Sequence, residues 1–155
     1  MVWANSAKLR IGIDILADRY VDSFREDIFS HNMIYAKSTE RSIPIPDGLV
    51  DVVYSLNAID HVNSLSAMCD EILRIMKKGG ILYCSFNLEE PKSVTEPQVL
   101  TEEFIKEKLL DRMKIQSYRI TNQVESDELF SSFYNNDLHY DKGAKGFLWM
   151  KAEKI

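Results

Sequence analysis

Apolar positions along the chain follow two periods, one typical of strands and one typical of helices. Short runs of β-branched and other apolar residues predict strands at Leu9–Ile15, Val50–Leu56 and Ile81–Phe86. Between the last two strands, apolar residues recur every three or four positions and predict an amphipathic helix with this buried stripe: Leu65, Met68, Cys69, Ile72, Leu73 and Met76. A strand, helix and strand in this order usually form a parallel sheet that binds ligands at the carboxyl ends of its strands.

The predicted central helix has start and stop signals. Asn63 or Ser64 can cap its first turn, and the Lys-Lys-Gly-Gly run at residues 77–80 is expected to close it. Glu71 and Arg74 fall opposite the apolar stripe, so we expect both side chains to face water.

Weaker patterns flank this central unit. They predict a helix, a short strand, a second helix and two closing strands, in the order Asp18–Phe29, Met33–Ala36, Glu102–Asp111, Met113–Thr121 and Gly146–Glu153. The last two strands are close enough in sequence to form a long antiparallel hairpin.

Two segments have no clear period. Glu89–Val99 is acidic and contains two prolines, and it is either a mobile lid over the strand ends or a plain connecting loop. Glu125–Leu138 concentrates aromatic residues. These residues, together with Tyr140 just after the segment, either form the floor of an acceptor pocket or belong to the core. The full set is Phe130, Phe133, Tyr134 and Tyr140.

Length and charge limit the classes of function. The 155 residues suit a single domain over residues 1–155, with residues 1–9 as an atypical N-terminal segment. A net charge of −5 disfavours nucleic acid as a partner, because nucleic-acid binding normally uses a basic surface. We see neither a signal peptide nor an apolar run of about 20 residues. We therefore expect a cytoplasmic protein with no membrane partner.

The cysteines and histidines do not form a metal-binding motif. Cys69 and Cys84 fall inside a predicted helix and a predicted buried strand, so we expect both to be small core residues in a reducing compartment. His31, His61 and His139 are far apart and have no ligand spacing with the cysteines. The sequence therefore predicts no metal site.

Several of these stretches resemble class I S-adenosylmethionine-dependent methyltransferases of the small-molecule type. The similarity covers the family's second strand, its acidic Leu-Pro-Phe stretch, its Glu-His-Val signature, the helix into its fifth strand and its C-terminal tail. In that order the stretches are Ile11-Gly12-Ile13-Asp14, Ser42–Val53, Asp60-His61-Val62, Glu71–Gly80 and Thr101-Glu102-Glu103-Phe104.

The resemblance implies a fold and a reaction. The fold would be a three-layer, Rossmann-like α/β methyltransferase fold, with a mostly parallel sheet and a C-terminal antiparallel hairpin. The reaction would be transfer of a methyl group from S-adenosylmethionine to a small-molecule acceptor. Alignment and desolvation can supply most of the rate for many acceptors, because the sulfonium is already activated.

The chain departs from the family in one respect. It has no Gly-x-Gly-x-Gly segment, which in the family follows the first strand and lets the backbone approach the methionine end of the cofactor. We therefore expect the first strand and its helix to be missing or replaced, which leaves two unpaired sheet edges. A second polypeptide, a second copy in a homodimer or Met1–Ala4 could complete the sheet.

The alternative function is a non-catalytic scaffold or an interaction and dimerisation module. A Rossmann-type oxidoreductase is a weaker option, because it would also need a glycine-rich first turn.

By resemblance, two strand ends would hold the nucleoside part of the cofactor. Asp14 would accept hydrogen bonds from the ribose hydroxyls, although an acid that starts a helix and faces water is the alternative. Thr39 falls where the family has an acid near the adenine amino group. Glu40 could substitute for that acid, or it could be a solvated loop residue.

The resemblance also assigns roles beyond the next strand. The backbone of Ser55, Leu56 and Asn57 would lie along the amino-acid part of the cofactor, and Asn57 could instead cap a helix or loop. His61 could remove a proton from the methyl acceptor as a catalytic base. Its alternative role is to pack at the pocket rim and bond to the backbone.

Overall fold

The strands of the protein form two sheets in a computed structural model that describes residues 6–123, 135 and 139–155. In the smaller sheet, β1 (Ile11–Asp14) pairs in parallel with β2 (Ile34–Lys37). The larger sheet has the order β3, β4, β6, β5, and these strands span Val50–Leu56, Met76–Leu88, Gly146–Lys154 and Met113–Asn122.

The strand directions in the larger sheet are mixed. β3 and β4 are parallel, whereas β6 runs antiparallel to both β4 and β5. The predicted C-terminal antiparallel hairpin is therefore confirmed. Among the residues that the structure describes, no strand pairs with the free edge of β1 or of β3. The expectation of two unpaired edges holds for this part of the chain.

The first helical region is broken in two. The predicted single helix over Asp18–Phe29 is wrong, because α1 (Ala17–Ser23) ends before α2 (Arg25–Ser30) begins. Phe24 separates them with φ −131° and ψ 40°, and its side chain is 57% exposed. α2 has no buried residue, so no apolar face holds the two segments to one axis.

The central helix α3 (Leu65–Ile75) forms as predicted at its start, where Ser64 Oγ accepts a hydrogen bond of 3.3 Å from the Ala67 N–H. Its end differs from the prediction. Residues 77–80 belong to β4, and Gly79 has φ +78° within that strand. The pairing of β3 with β4 is shifted at this point, because these extra residues bulge out of the ladder. The last helix, α4 (Glu102–Lys108), is capped by Thr101.

The core lies between α3, α4 and the larger sheet. Its fully buried side chains include Leu65, Leu82, Phe86, Ile105 and Leu148. Both cysteines are free thiols inside this core, as predicted. None of the helices in the described part of the chain is long and apolar enough to cross a membrane.

Glu71 and Arg74 do not face water as expected. Arg74 Nε and Nη2 donate to the two carboxylate oxygens of Glu71 at 2.7 and 2.9 Å. The guanidinium also donates to the carbonyls of Ile43 and Ile45, and the Ile43 N–H donates to Glu71. The pair therefore fixes the proline-containing loop before β3 onto α3, which amphipathic spacing alone cannot reveal.

Candidate functional site

Asp14 lies at the carboxyl end of β1 with an exposed side chain. Its Oδ1 accepts a hydrogen bond of 2.7 Å from the Leu16 N–H, which orients the carboxylate at the start of the turn into α1. Its backbone carbonyl accepts from the Ser38 N–H at 3.2 Å. The end of β1 is therefore tied to the loop that follows β2.

Thr39 and Glu40 occupy that loop. The backbone groups of Thr39 and Ser42 exchange two hydrogen bonds of 3.3 Å, which closes a tight turn. Thr39 Oγ1 accepts from the Arg41 N–H at 3.3 Å, so its lone pairs are partly used within the turn. The register pairs Asp14 with a residue two positions before Thr39, which places this turn beside Asp14.

Ser55, Leu56 and Asn57 lie at the carboxyl end of β3, in the other sheet. Ser55 is buried, whereas Leu56 is 54% exposed. Asn57 adopts a left-handed backbone with φ 49°, a conformation that asparagine tolerates better than most residues. Its N–H donates to Ser85 Oγ at 2.9 Å, so the neighbouring strand β4 holds this turn in place.

His61 ends a short 3-10 turn that begins at Ile59. Its Nδ1 lies 2.8 Å from the carbonyl oxygen of Thr95, so the ring bonds to the backbone at the surface, as its alternative role predicted. Burial alone would lower the pKa of His61, but the Thr95 carbonyl and the charges of Asp60 and Glu96 raise it overall. The 89–99 segment therefore holds this histidine, and it also contacts the same turn through a hydrogen bond from Gln98 to the Val62 carbonyl.

The predicted site residues therefore form two groups. Asp14, Thr39 and Glu40 lie together at the end of the two-stranded sheet, whereas residues 55–57 and His61 lie at the end of the larger sheet. Within the described residues, the structure records no hydrogen bond or ion pair between the two groups. Each group lies at the carboxyl ends of parallel strands, where α/β folds bind ligands.

A buried acid beside His61 has an unusual environment. The Asp60 side chain is 0% exposed, and its Oδ2 accepts a hydrogen bond of 3.1 Å from the Asn87 N–H. Among the described residues, neither its Oδ1 nor the buried Oδ1 of Asn87 has a hydrogen-bond partner. Asn87 and Glu96 could not be identified from the sequence pattern, since they follow Asp60 by 27 and 36 positions. The unusual acidity of the 89–99 segment was the available signal for Glu96.

The aromatic residues divide between described and undescribed parts of the chain. Phe130, Phe133 and Tyr134 lie outside the described residues. Tyr140 packs its ring against Gly146, where an added Cβ would lie 2.6 Å from the ring, and its hydroxyl donates to the Ala144 carbonyl at 3.2 Å. Tyr140 therefore supports the start of β6.

Comparison with known proteins identifies a family. Residues 3–84, more than half of the chain, match the family model described as "Methyltransferase domain". No curated protein sequence matches the chain at a significant level.

Solved structures resemble the whole fold. The [4+2]-cyclase SpnF shares 17% identity with a TM-score of 0.67, and the match covers 97% of this chain and 69% of that one. A second structure is geranyl diphosphate C-methyltransferase from Streptomyces coelicolor, which was solved with Mg²⁺, geranyl diphosphate and S-adenosyl-L-homocysteine. It shares 13% identity with a TM-score of 0.66, and the match covers 97% of this chain and 64% of that one. A SAM-dependent methyltransferase from Thermotoga maritima shares 17% identity with a TM-score of 0.61, and the match covers 95% of this chain and 82% of that one. These likenesses confirm the Rossmann-like methyltransferase fold.

The family implies S-adenosylmethionine as the cofactor, and the donor groups of this chain fit part of it. An exposed carboxylate at a strand end, as at Asp14, can accept two hydrogen bonds from a vicinal diol. The exposed side chain of Leu56 offers an apolar surface at the second strand end. The sequence contains no Gly-x-Gly-x-Gly segment for the methionine end. The exposed carboxylate of Asp14 therefore fits the ribose diol of the cofactor.

Proposed function

This chain belongs to the methyltransferase domain family, and we propose that it transfers a methyl group from S-adenosylmethionine to a small-molecule acceptor. The observation that carries the proposal is the exposed Asp14 carboxylate at the end of β1, beside the turn that follows β2.

Residues of both strand ends share the binding in this proposal. Asp14 accepts the ribose hydroxyls, and Thr39 or Glu40 contacts the adenine amino group. The backbone of Ser55, Leu56 and Asn57 lies along the amino-acid part. When bound, S-adenosylmethionine supplies an electrophilic methyl group on a sulfonium.

His61 is the proposed base in this reaction. With Nδ1 hydrogen-bonded to the Thr95 carbonyl, Nε2 is the nitrogen that could accept a proton from the acceptor. The negative charges of Asp60 and Glu96 would stabilise the imidazolium that forms.

A negative net charge and the absence of a membrane-spanning helix among the described residues fit a small acceptor and a cytoplasmic location.

Calorimetric titration with S-adenosylmethionine tests the proposal. We expect binding to the wild-type chain and about tenfold or greater loss in Asp14→Asn, because hydrogen bonds to a charged acceptor are the stronger kind. Asp18→Asn is the matched control, since Asp18 is exposed and pairs with Lys37 at 3.6 Å. No heat at millimolar cofactor, or equal loss in both variants, would overturn the proposal.

A second candidate function rests on the edges of β1 and β3 that no strand among the described residues pairs with. Fold alone does not determine a reaction, and one structural neighbour is named as a cyclase. An interaction module would use the free edges of β1 and β3 to pair with a second copy of the chain. Light scattering would show a dimer in that case, and a monomer at all concentrations would contradict it.

A further inference from the structure

The buried carboxylate of Asp60 lies in a cluster with His61, Asn87 and Glu96, which we call the Asp60 cluster. One ligand atom from each of Asp60, His61 and Glu96 lies within 4.8 Å of the other two. The cluster joins three parts of the fold: the 3-10 turn after β3, the end of β4 and the 89–99 segment. Sequence distance hides it, since Glu96 follows His61 by 35 positions.

Two oxygen atoms of the cluster lack donors. Asp60 Oδ1 and Asn87 Oδ1 are buried and have no hydrogen-bond partner among the described residues. A buried carboxylate costs several kcal/mol, on the order expected for an ion, unless a cation or donors compensate it. Asp60 Oδ2 receives one donor, the Asn87 N–H, and this leaves the second oxygen uncompensated.

An imidazolium without a metal explains the cluster only in part. A protonated His61 could donate through Nδ1 to Thr95 and attract Glu96, whose Oε1 lies 3.3 Å away. Its Nε2, however, lies 3.9 Å from Asp60 Oδ1, which is too long for a hydrogen bond. Protonation therefore does not supply the missing donor to Asp60.

A metal ion meets the same geometry better. The Thr95 carbonyl receives the Nδ1 proton of His61, which fixes the neutral tautomer with its lone pair on Nε2, the nitrogen that could then bind a metal. Glu96 is held by Ser93, whose Oγ accepts from the Glu96 N–H at 2.9 Å. Ligand atoms around one cation lie roughly 3 Å apart, given metal–ligand bonds of about 2.1 Å. The ligand atoms of the cluster lie within 4.8 Å of one another, so small side-chain rotations would bring them to the spacing that an ion requires.

We propose that Asp60, His61 and Glu96, with the Asn87 amide oxygen as a fourth ligand, bind a divalent cation. Two carboxylates, an imidazole and an amide oxygen form a mixed oxygen and nitrogen set, which suits Mn²⁺ and Zn²⁺. The site lies beside Asn57, whose backbone interacts with His61 at the carboxyl end of β3. A cation on Nε2 excludes that atom from acting as the base, so His61 would then hold the metal instead.

Mn²⁺ alone is the probe. The purified full chain is titrated with Mn²⁺ without S-adenosylmethionine, and free Mn²⁺ is followed by electron paramagnetic resonance. We expect one bound ion per chain and about tenfold or greater loss of affinity in Glu96→Gln and in Asp60→Asn, since each removes a ligand charge. Circular dichroism checks that each variant is folded. If Asp60→Asn does not fold, the affinity of Glu96→Gln for Mn²⁺ tests the proposal.

Glu90→Gln is the matched control. Glu90 lies on the same segment but pairs with Lys145 at 2.9 Å, outside the cluster. Its variant should bind Mn²⁺ like the wild-type chain. No uptake at millimolar Mn²⁺, or equal affinity in wild type and Glu96→Gln, would overturn the proposal. The readout needs no cofactor, so this proposal and the methyltransferase proposal can fail separately.

Discussion

The two sheets differ sharply in how they are packed. In the larger sheet, Leu82, Phe86 and Leu148 are all 0% exposed. In the smaller sheet, Ile13 is 36% exposed and Ile34 is 54% exposed, and neither strand contains a fully buried side chain. The two strands of the smaller sheet, β1 and β2, are also short, with four residues each. The apolar burial that stabilises the fold is therefore concentrated in the larger sheet.

This difference places the proposed ribose contact in the less well-packed sheet. The proposed ribose contact, Asp14, lies on the sheet with little burial, whereas the Asp60 cluster lies on the well-packed sheet. Regions with few buried apolar contacts open at low free-energy cost, and ligand-binding elements are often of this kind. We expect the cofactor to stabilise the small sheet and the core mutations to act on the large one.

The largest expected effect is a truncation in β4. Phe86→Ala should lower the free energy of unfolding by about 3–5 kcal/mol, because it leaves a cavity in the core. Ile34→Ala, in β2, should cost less than about 1 kcal/mol, since that side chain is more than half exposed. Chemical denaturation measures both. Equal costs would show that the two sheets contribute alike.

The next effect concerns the loop before β3. Glu71→Gln should lower the melting temperature by several degrees, because it weakens the hydrogen bonds from Arg74 and from the Ile43 N–H. Asp51→Asn is the control, since Asp51 is 76% exposed and its pair with Lys77 contributes little. A melting temperature unchanged in Glu71→Gln would contradict the claim that the Glu71–Arg74 pair fixes this loop onto α3.

The same pair predicts a pH dependence. The hydrogen bonds from Arg74 lower the pKa of Glu71 against the opposing effect of burial, and the Ile43 N–H lowers it further. A carboxyl whose folded pKa is lowered stabilises the protein above its unfolded pKa and loses that contribution as pH falls through the folded pKa. The difference between wild type and Glu71→Gln should therefore shrink towards pH 3–4, the range roughly at and below the usual glutamate pKa. Thermal melts at several pH values measure it.

The smallest expected effect is thiol reactivity. Burial raises the pKa of Cys69 to about 12 and that of Cys84 well above its usual value, so both thiols stay protonated and covered. An aromatic disulfide reagent should not react with the native chain and should label both cysteines in denaturant. Both cysteines lie in the larger half of the fold, so rapid labelling of the native protein would show that its core opens.

Sequence patterns predicted the larger sheet well. Runs such as Val50–Leu56 and the apolar stripe of α3 are long and periodic. The tertiary packing of these elements agrees with their local sequence patterns. The break at Phe24 was missed, because Asp18–Phe29 has helical spacing but α2 has no partner surface to bury against. The role of Arg74 was missed for the opposite reason, since its partners are loop carbonyls about 30 positions away.

The candidate site was predictable only where residues lie at strand ends. Asp14 and Asn57 could be placed because a strand pattern ends at each of them. The contacts of Asp60 with Asn87 and of His61 with Glu96 could not be placed, because they join a turn to a segment without period. Such contacts depend on the path of an irregular loop, which neither hydrophobic spacing nor turn chemistry specifies.

Hydrogen–deuterium exchange with and without S-adenosylmethionine tests the central claim most directly. The methyltransferase account predicts that millimolar cofactor slows exchange in β1 and in residues 38–42, at the end of the small sheet. It predicts little change in β5 and β6, which lie on the far side of the large sheet. Unchanged exchange throughout the chain, or protection confined to β5 and β6, would contradict the account.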